Sequence, residues 1–358
     1  MLAEYQKLFY NNVLSQTISS CGEFLFAGTN FGEIFVYSIP QICVSPDDEN
    51  YDSASLQAND TKSGISTATT LKNSLTKPIQ VFNVTENGKK QQVQSLAFFE
   101  NFLIVGTNTG RISGYTWYKN RLTKKTWETF LANQNLADQN DMNCFWLEKK
   151  NGILYVGCGD NNMYAISLET GKIIRTFIGH TGFLHWIDGM ADSNLYSASE
   201  DGSVKFWDKR EKRYVNQLEP WKDERLERPQ FGKWQGTVAV TDDWLLCGGG
   251  PKSSLYHLRS LECSTVFDVN SSIHVSGFLD DIVYLGGDNN HLFQYNLKGD
   301  VTAEIPVSSS AIYSVVSQTT PEKFMSIAGA SNCLDICTNF NYKDIMLKLY
   351  EAPNHSNK

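Results

Sequence analysis

The chain has 358 residues, of which 41% are hydrophobic and 20% are charged, and its formal net charge at pH 7 is −8. This length and composition are sufficient for a large core, although the length is unusual for a single domain unless repeats build it. The acidic balance argues against a protein that holds RNA or DNA through its own electrostatic field, because such proteins present a basic surface.

The N-terminal segment, residues 1–10, predicts a short helix. Its apolar residues recur at helical spacing, at Leu2, Tyr5, Leu8 and Phe9. We expect this helix to pack as a cap on the domain that follows, and docking to a partner is the alternative. The segment lacks the pattern of a signal peptide, and no apolar run in the chain approaches the length of a membrane span. We therefore expect no membrane association.

From residue 11 onwards one pattern occurs seven times. It consists of an apolar segment that ends in small residues, a turn rich in Gly, Asn or Asp, and a second apolar segment, which indicates two β-strands joined by a tight turn. The small residue that ends each first segment anchors the seven copies, at Gly28, Gly106, Gly157, Ala198, Gly248, Gly286 and Ala328. Three of the six spacings exceed the ~40–45 residues of one propeller repeat, so we expect seven blades and three insertions.

The longest insertion, at 41–77, consists mainly of Ser, Thr, Asn and Asp and contains no strand pair. It predicts a disordered loop in blade 1, between the third strand and a fourth strand near 78–84. The other two insertions lengthen the connections at 131–141 and 221–236.

The two ends of the repeat array predict how the ring closes. Blade 1 is expected to begin with a strand at 13–19, and blade 7 to end with a strand at 344–350. Each terminal blade then has four strands of its own, and closure depends on packing between them. Residues 351–358 are polar and predict a disordered tail.

The most specific motif lies at 179–210, which begins with a Gly-His pair and nearly ends with a Trp-Asp pair. This spacing is typical of a WD repeat, in which a His, a Ser, an Asp and a Trp bind one another through hydrogen bonds. We expect a buried structural tetrad of His180, Ser197, Asp201 and Trp207, because burial requires these polar groups to satisfy one another. The alternative is a catalytic set of His, Ser and Asp. The fold prediction is therefore an all-β, seven-bladed WD-repeat β-propeller over 11–350.

In the other blades the tetrad is incomplete, and only Tyr37 and Trp117 partly correspond to Trp207. We therefore look for a partner-binding site in the connection after blade 4. This loop combines aromatic residues with arginines, a mixture enriched at interface hot spots. The candidate partner-binding residues are Trp221, Arg225, Arg228, Phe231 and Trp234. In the alternative interpretation Phe231 and Trp234 pack inward, while the arginines pair with Glu224 and Glu227.

The sequence offers no catalytic, metal-binding or cofactor-binding set. It contains no HxH, HExxH or CxxC motif, and the eight cysteines are single residues, mostly within apolar runs. We expect reduced thiols in the core. The glycine-rich run at 248–253 lacks the first glycine of a phosphate loop and predicts a turn between strands. A non-enzymatic protein without a metal or cofactor is the expectation.

A family resemblance adds to this interpretation. The segment RPQFGKWQGTVAVTDDWLLCGGGPKSSLYHLRS, which begins at Arg228, resembles the corresponding region of the THO complex subunit 6 family. The segments SSCGEFLFAGTNFGEIFVYSI and AGASNCLDICTNFNY and the blade at 179–208 resemble it too, so the likeness covers nearly all of the chain except 41–77.

The resemblance implies a nuclear scaffold in the THO/TREX complex, which acts in mRNA processing and nuclear mRNA export. It implies contacts with the other THO subunits, especially the coiled-coil subunits 5 and 7, in a larger hetero-oligomer. Together with the acidic charge, it leads us to expect only indirect or weak contact with RNA.

Two other functions remain open. The sequence WDKR at 207–210 matches a WDxR pattern, so a substrate receptor of a cullin-type ubiquitin ligase is one alternative, with Arg210 as the docking residue. Direct RNA binding is the other, through a small basic cluster in the loop after blade 4: Lys222, Arg225, Arg228 and Lys233.

Overall fold

The computed structural model describes residues 2–43, 77–131, 140–190 and 194–351. Seven four-stranded antiparallel sheets follow one another along the chain and confirm the predicted seven-bladed propeller. Most of the predicted disordered insertion (44–76) and tail (352–358), together with residues 132–139, lies outside the described residues.

Each blade is a meander, and its strands are numbered here first to fourth in chain order. The strands of blades 1 and 2 are Val13–Ile18, Phe24–Thr29, Glu33–Ser38, Gln80–Asn83, Val93–Phe99, Phe102–Thr107, Arg111–Tyr118 and Arg121–Phe130. Those of blades 3 and 4 are Met142–Glu148, Ile153–Cys158, Met163–Ser167, Lys172–Phe177, Leu184–Gly189, Leu195–Ser199, Val204–Trp207 and Asn216–Leu218.

The remaining blades repeat this order. Blades 5 and 6 consist of Thr237–Val240, Trp244–Gly248, Lys252–His257, Cys263–Asp268, Ile273–Leu279, Ile282–Gly287, His291–Asn296 and Val301–Pro306. Blade 7 consists of Ile312–Gln318, Phe324–Gly329, Cys333–Cys337 and Ile345–Lys348. In blades 1, 2 and 4 the turn between the second and third strands contains a glycine with φ between +75° and +89°, a conformation that other residues rarely adopt.

Helical structure in the described ranges is short. The α-helices are Leu2–Tyr10 and Ile39–Cys43, and two 3₁₀ turns, Pro220–Lys222 and Glu224–Leu226, lie after blade 4. A hairpin of Thr85–Glu86 and Lys89–Lys90 follows blade 1. None of the described helices has the length and hydrophobicity that crossing a membrane requires.

The core consists of seven apolar clusters, one between each pair of adjacent blades. The first strands of neighbouring blades pack against one another around the whole ring. In the cluster that closes the ring, Leu25 and Phe35 of blade 1 contact Phe324 and Leu334 of blade 7. Burial of each such side chain stabilises the fold by about 1.5–3 kcal/mol, so packing alone can hold the closing interface.

Polar contacts reinforce this closing interface. Gln16 of blade 1 accepts a hydrogen bond from the Ser326 hydroxyl of blade 7 at 2.6 Å and donates to the carbonyl of Ser314 at 3.2 Å. The terminal blades share no strand, since blade 1 contains 13–18 and blade 7 ends with Ile345–Lys348. The prediction of closure by packing is therefore confirmed.

The N-terminal helix docks beside the same interface, and Lys7 provides an ion pair there. Lys7 Nζ lies 2.6 Å from the buried carboxylate of Glu33 and 5.0 Å from the ring centre of Tyr350. Burial raises the pKa of Glu33, but hydrogen bonds from Lys7, Lys90 and Tyr350 outweigh it, so that the pKa is lowered overall. Phe9 is 78% exposed. The expectation that the helix caps the propeller with Phe9 on its buried side is therefore wrong for Phe9, whereas Tyr5 and Leu8 are partly buried.

Candidate functional site

Connectivity divides the loops between the two faces of the ring. Because the strands of a blade alternate in direction, the connections after the second and fourth strands leave at one face, here called the upper face. The connections after the first and third strands leave at the other, lower face. His180, the 200–202 turn and the loop after blade 4 belong to the upper face, whereas Arg210 belongs to the lower connection.

The structure brings the four predicted tetrad residues into one hydrogen-bonded chain. Trp207 Nε1 donates to Ser197 Oγ at 2.8 Å, and Ser197 Oγ lies 2.7 Å from His180 Nε2. His180 Nδ1 lies 2.7 Å from Asp201 Oδ2. The other carboxylate oxygen, Oδ1, accepts from the backbone and hydroxyl of Ser203 at 2.9 and 2.6 Å. The polar groups of this chain therefore satisfy one another inside the blade.

The geometry fixes the proton positions in this chain. An ionised carboxylate only accepts, so His180 carries its proton on Nδ1, and its Nε2 accepts a hydrogen bond from the Ser197 hydroxyl. Burial lowers the pKa of His180, and Asp201 raises it by a smaller amount. The pKa is lowered overall, which favours the neutral ring. Burial raises the pKa of Asp201, but the hydrogen bond from His180 and further donors hold it well below its usual range.

The side chains of His180 and Ser197 are closed to solvent. Ser197 is fully buried, and Trp207 and Phe177 pack edge to face with ring centres 5.7 Å apart. The Ser197 hydroxyl already has one donor and one acceptor. This arrangement supports a structural role for the set rather than nucleophilic chemistry.

The strand register identifies the positions that correspond to Trp207. Leu195 pairs with Trp207, and the equivalent pair in blade 2 is Leu103 with Tyr115. Trp117 lies two residues further along the strand, so its predicted correspondence with Trp207 is wrong. Tyr37 does hold the equivalent position in blade 1. Its hydroxyl is buried without a hydrogen-bond partner among the described residues.

The loop after blade 4 is fixed from inside by an arginine. The Arg228 guanidinium donates to the carbonyls of Gly250 and Trp234 and lies 5.3 Å from the ring centre of Trp234. Burial lowers the pKa of Arg228. Trp221 is half-buried, with Lys222 Nζ and Lys233 Nζ each 5.4 Å from its ring centre.

The remaining two candidates in this loop face solvent. Phe231 is 61% exposed. Arg225 is exposed and forms a bidentate pair with Asp223, its own 3₁₀ N-cap, at 2.6 Å for the shortest contact. The alternative is therefore wrong for Phe231 and for the pairing of the arginines with Glu224 and Glu227. Its third element, Trp234, is half-buried and packs against neighbouring rings. Short-range turn geometry favours Asp223, and Arg228 instead satisfies backbone carbonyls.

A site that the sequence analysis missed lies at the upper mouth of the central channel. In six blades a β-bulge interrupts the first strand, and the extra residue lines the mouth, at Leu14, Gln94, Asn143, His185, His274 and Tyr313. A bulge re-aims one side chain out of the alternating pattern of the sheet. No signal in the sequence marks these positions, because the distance from the extra residue to the anchor of its blade varies from 12 residues, for Gln94 and Gly106, to 15 residues, for Tyr313 and Ala328.

Blade 5 departs from this pattern. Its first strand pairs without a bulge, and Gly236 precedes it at the mouth. A Cβ on Gly236 would lie 2.5 Å from the ring of Trp234. The loop after blade 4 thus supplies, through Trp234, the side chain that the strand of blade 5 lacks.

Trp234 completes an arc of rings around the mouth. Its ring centre lies 6.0 Å from that of His185 and 6.2 Å from that of His274, with which it stacks at an interplanar angle of 22°. The His274 and Tyr313 ring centres are 5.4 Å apart. The mouth encloses about 510 Å³. Burial lowers the pKa of His185.

The WDxR segment lies on the lower connection of blade 4. The Arg210 side chain is 86% exposed and pairs with Asp208 at 2.6 Å. All eight cysteines are free thiols. Within the described ranges, no group of three His, Cys, Asp or Glu side chains is placed to hold a metal ion.

Known proteins with similar sequences match this chain over almost its whole length. No model of a protein family matches it. It is 40% identical to the THO complex subunit 6 of Drosophila melanogaster over 348 residues, which cover 96% of this chain and 91% of that protein. It is 32% identical to the THO complex subunit 6 homolog of Danio rerio, over 95% of this chain and 98% of that protein, and 28% identical to the THO complex subunit 6 of Homo sapiens, over 94% and 92%. The likeness inferred from the quoted segments is thus confirmed, and the chain belongs to the THO complex subunit 6 family.

Proposed function

We propose that this protein is a non-catalytic scaffold subunit of the nuclear THO/TREX complex, acting in mRNA processing and nuclear mRNA export. The observation that carries the proposal is the 40% identity to a THO complex subunit 6 over 96% of the chain. The propeller supports it, because a closed ring of seven packed blades offers rigid faces and edges to other proteins.

Co-purification tests this proposal. An affinity-tagged copy, recovered from nuclear extract, is expected to bring down the other THO subunits and to lie in the nucleus by microscopy. Recovery without any THO subunit would refute the proposal. A copy with Trp207→Phe should behave like the wild type as long as it is folded, because Trp207 is buried within blade 4.

For the contact with the coiled-coil subunits 5 and 7, we propose the outer edge of blades 3 and 4. Four aliphatic side chains are exposed there by 42–60%: Ile173, Ile174, Ile178 and Val215. The backbone N–H of Ile178 donates to the carbonyl of Lys212 at 3.1 Å, which joins the two segments into one surface. An apolar stripe on a coiled coil could bury this edge.

A charge placed in this edge tests the assignment. Ile174→Glu should reduce recovery of subunits 5 and 7 by about tenfold or more, because binding would bury an unpaired carboxylate. The matched control is Val301→Glu, which changes an aliphatic residue of similar exposure (53%) on the outer strand of blade 6. Equal recovery of subunits 5 and 7 with both variants would show that the contact does not lie at the outer edge of blades 3 and 4.

The loop after blade 4 remains a second candidate contact. Phe231 and Arg225 are its exposed members, so a partner would meet these two side chains first. Phe231→Ala should weaken one partner contact and leave the melting temperature unchanged. The loop as a whole would have no part in recognition if Phe231→Ala and Arg225→Ala both left every THO subunit bound.

We propose that RNA contacts are indirect. Much of the basic cluster in this loop is engaged locally: Lys222 pairs with Glu219 at 2.6 Å, Arg225 with Asp223, and Arg228 with backbone carbonyls. The isolated protein should therefore show no salt-dependent binding to a uridine oligonucleotide. Affinity that falls steeply with salt would indicate direct phosphate contacts instead.

A second candidate function is supported by the exposure of Arg210. A receptor for a cullin-type ligase would need this side chain in solvent, and 86% of it is exposed. Arg210→Ala should then abolish capture of the ligase adaptor. The ligase-receptor function would be refuted if Arg210→Ala captured the adaptor as well as the wild type does, or if the wild type captured no adaptor.

A further inference from the structure

We propose that the upper mouth of the central channel binds the side chain of an arginine presented by a partner protein. The inference goes beyond membership of the THO complex, since it assigns a ligand chemistry to one cavity. The cavity encloses about 510 Å³, and the seven blades converge on it.

Aromatic rings form one side of this cavity. His185, Trp234, His274 and Tyr313 follow one another with ring centres 5.4–6.2 Å apart. Phenol and indole rings attract cations through their faces, and a planar guanidinium also stacks on them. The arc therefore offers the flat surface that an arginine side chain prefers.

The charges around the mouth are those of a cation site. Glu200 lines the cavity, and Asp288, outside the lining, accepts from His274 Nε2 at 2.8 Å. Among the described residues that line the cavity there is no Lys and no Arg. Arg228 lies behind Trp234, where its guanidinium is bound to two carbonyls.

The opposite side of the mouth supplies a hydrogen-bond acceptor. Gln94 lines the cavity, and its Oε1 is buried without a partner among the described residues. Because Oε1 is covered in this structure, the Gln94 side chain would turn toward the cavity to accept a hydrogen bond from a guanidinium, which would give this acceptor the donor that it lacks. Arginine has five such donors in a fixed plane, whereas a neutral apolar ligand has none.

The same features disfavour RNA at this mouth. Bases can stack on aromatic rings, but each base is attached to a phosphate, and the cations that bind phosphates are missing from the cavity lining. Glu200 and Asp288 would repel the backbone. The mouth therefore fits a basic peptide better than a nucleic acid.

The test titrates the full chain, labelled with ¹⁵N at tryptophan, with N-acetyl-arginine methylamide. The Trp234 indole signal, assigned from a Trp234→Phe sample, should shift with the arginine probe. It should not shift with the citrulline analogue, which has the same shape without the charge. Glu200→Gln should weaken binding about threefold to fivefold, as expected for a partly exposed charge pair, and Tyr313→Leu by about fivefold.

Glu227→Gln is the matched control, because it removes an exposed carboxylate from the same face outside the cavity lining. It should leave the titration unchanged. Three outcomes would overturn the proposal. The first is an equal shift with citrulline, and the second is stronger binding of a uridine oligonucleotide than of the arginine probe. The third is no shift at ~10 mM arginine probe, a concentration that fills a site with a Kd of ~1 mM. Such a failure would leave the co-purification with THO subunits unaffected, so the two proposals fail separately.

Discussion

A double-mutant cycle on Ser197 and Trp207 tests whether the tetrad holds blade 4 together. Trp207→Phe removes the indole N–H that reaches Ser197 Oγ at 2.8 Å and leaves a space beside a fully buried hydroxyl. The lost hydrogen bond contributes about 1 kcal/mol and the cavity a similar amount, so we expect a loss of about 2 kcal/mol.

Ser197→Ala should cost more than the tryptophan change. It leaves both the indole N–H of Trp207 and Nε2 of His180 buried without partners. At about 1.5 kcal/mol for each orphaned group, the loss is about 3 kcal/mol. In the double variant the indole N–H is absent, so only His180 is orphaned. With about 1.5 kcal/mol for His180 and about 1 kcal/mol for the cavity, the double variant should be destabilised by about 2.5 kcal/mol, which is about 2.5 kcal/mol less than the sum of the single changes.

Equilibrium unfolding in urea, followed by far-UV circular dichroism, measures all three variants. Tyr37→Phe is the control, because Tyr37 holds the equivalent position in blade 1 with a hydroxyl that has no partner among the described residues. This change should leave stability unchanged or raise it. Additive effects of Ser197→Ala and Trp207→Phe within about 0.5 kcal/mol would refute the hydrogen-bonded tetrad.

Three further predictions concern other parts of the ring. Burial raises the pKa of Asp188 from an ordinary value of 3.8 to about 6. Between these two pH values the folded state binds more protons than the unfolded state, so the free energy of unfolding falls as the pH rises from 3.8 to about 6. Measured by urea unfolding, the free-energy difference between wild type and Asp188→Asn should shift towards the wild type by about 2 kcal/mol from pH 7 to pH 4; a constant difference would contradict this. Glu33→Gln should loosen the N-terminal helix held by Lys7 and speed hydrogen exchange in residues 5–10, and unchanged exchange would show that the ion pair is dispensable. Gly236→Ala should displace the Trp234 indole signal in an NMR spectrum, because its Cβ would meet that ring at 2.5 Å, and an unmoved signal would argue against the close contact.

The sequence was sufficient to predict the repeat, because local signals define it. Apolar segments, small anchor residues and turn glycines recur along the chain, and the closing blades at 13–18 and 345–348 followed from counting them. The tetrad was predictable for the same reason, since the spacing between His180 and Trp207 carries the information within one blade.

The channel mouth could not be predicted this way, because it is built from residues that are distant in sequence. Leu14 and Tyr313 meet there only after the ring closes, and a β-bulge, which leaves no clear mark in the sequence, turns each toward the channel. The role of Trp234 depends on the absence of a side chain at Gly236 in the next blade. Arg228 was also unpredictable in detail, because its partners are backbone carbonyls, which every residue possesses.

Closure by packing between terminal blades has a consequence for how this fold can be rearranged. Every blade comes from one continuous segment, so the interface between blades 7 and 1 lacks the covalent link that joins the blades at the other six. Lys7 Nζ lies 5.0 Å from the ring centre of Tyr350, so the N-terminal helix and the end of blade 7 lie side by side. A circular permutant that joins them and opens between two other blades should therefore assemble the same ring, with the order of the blades along the chain shifted.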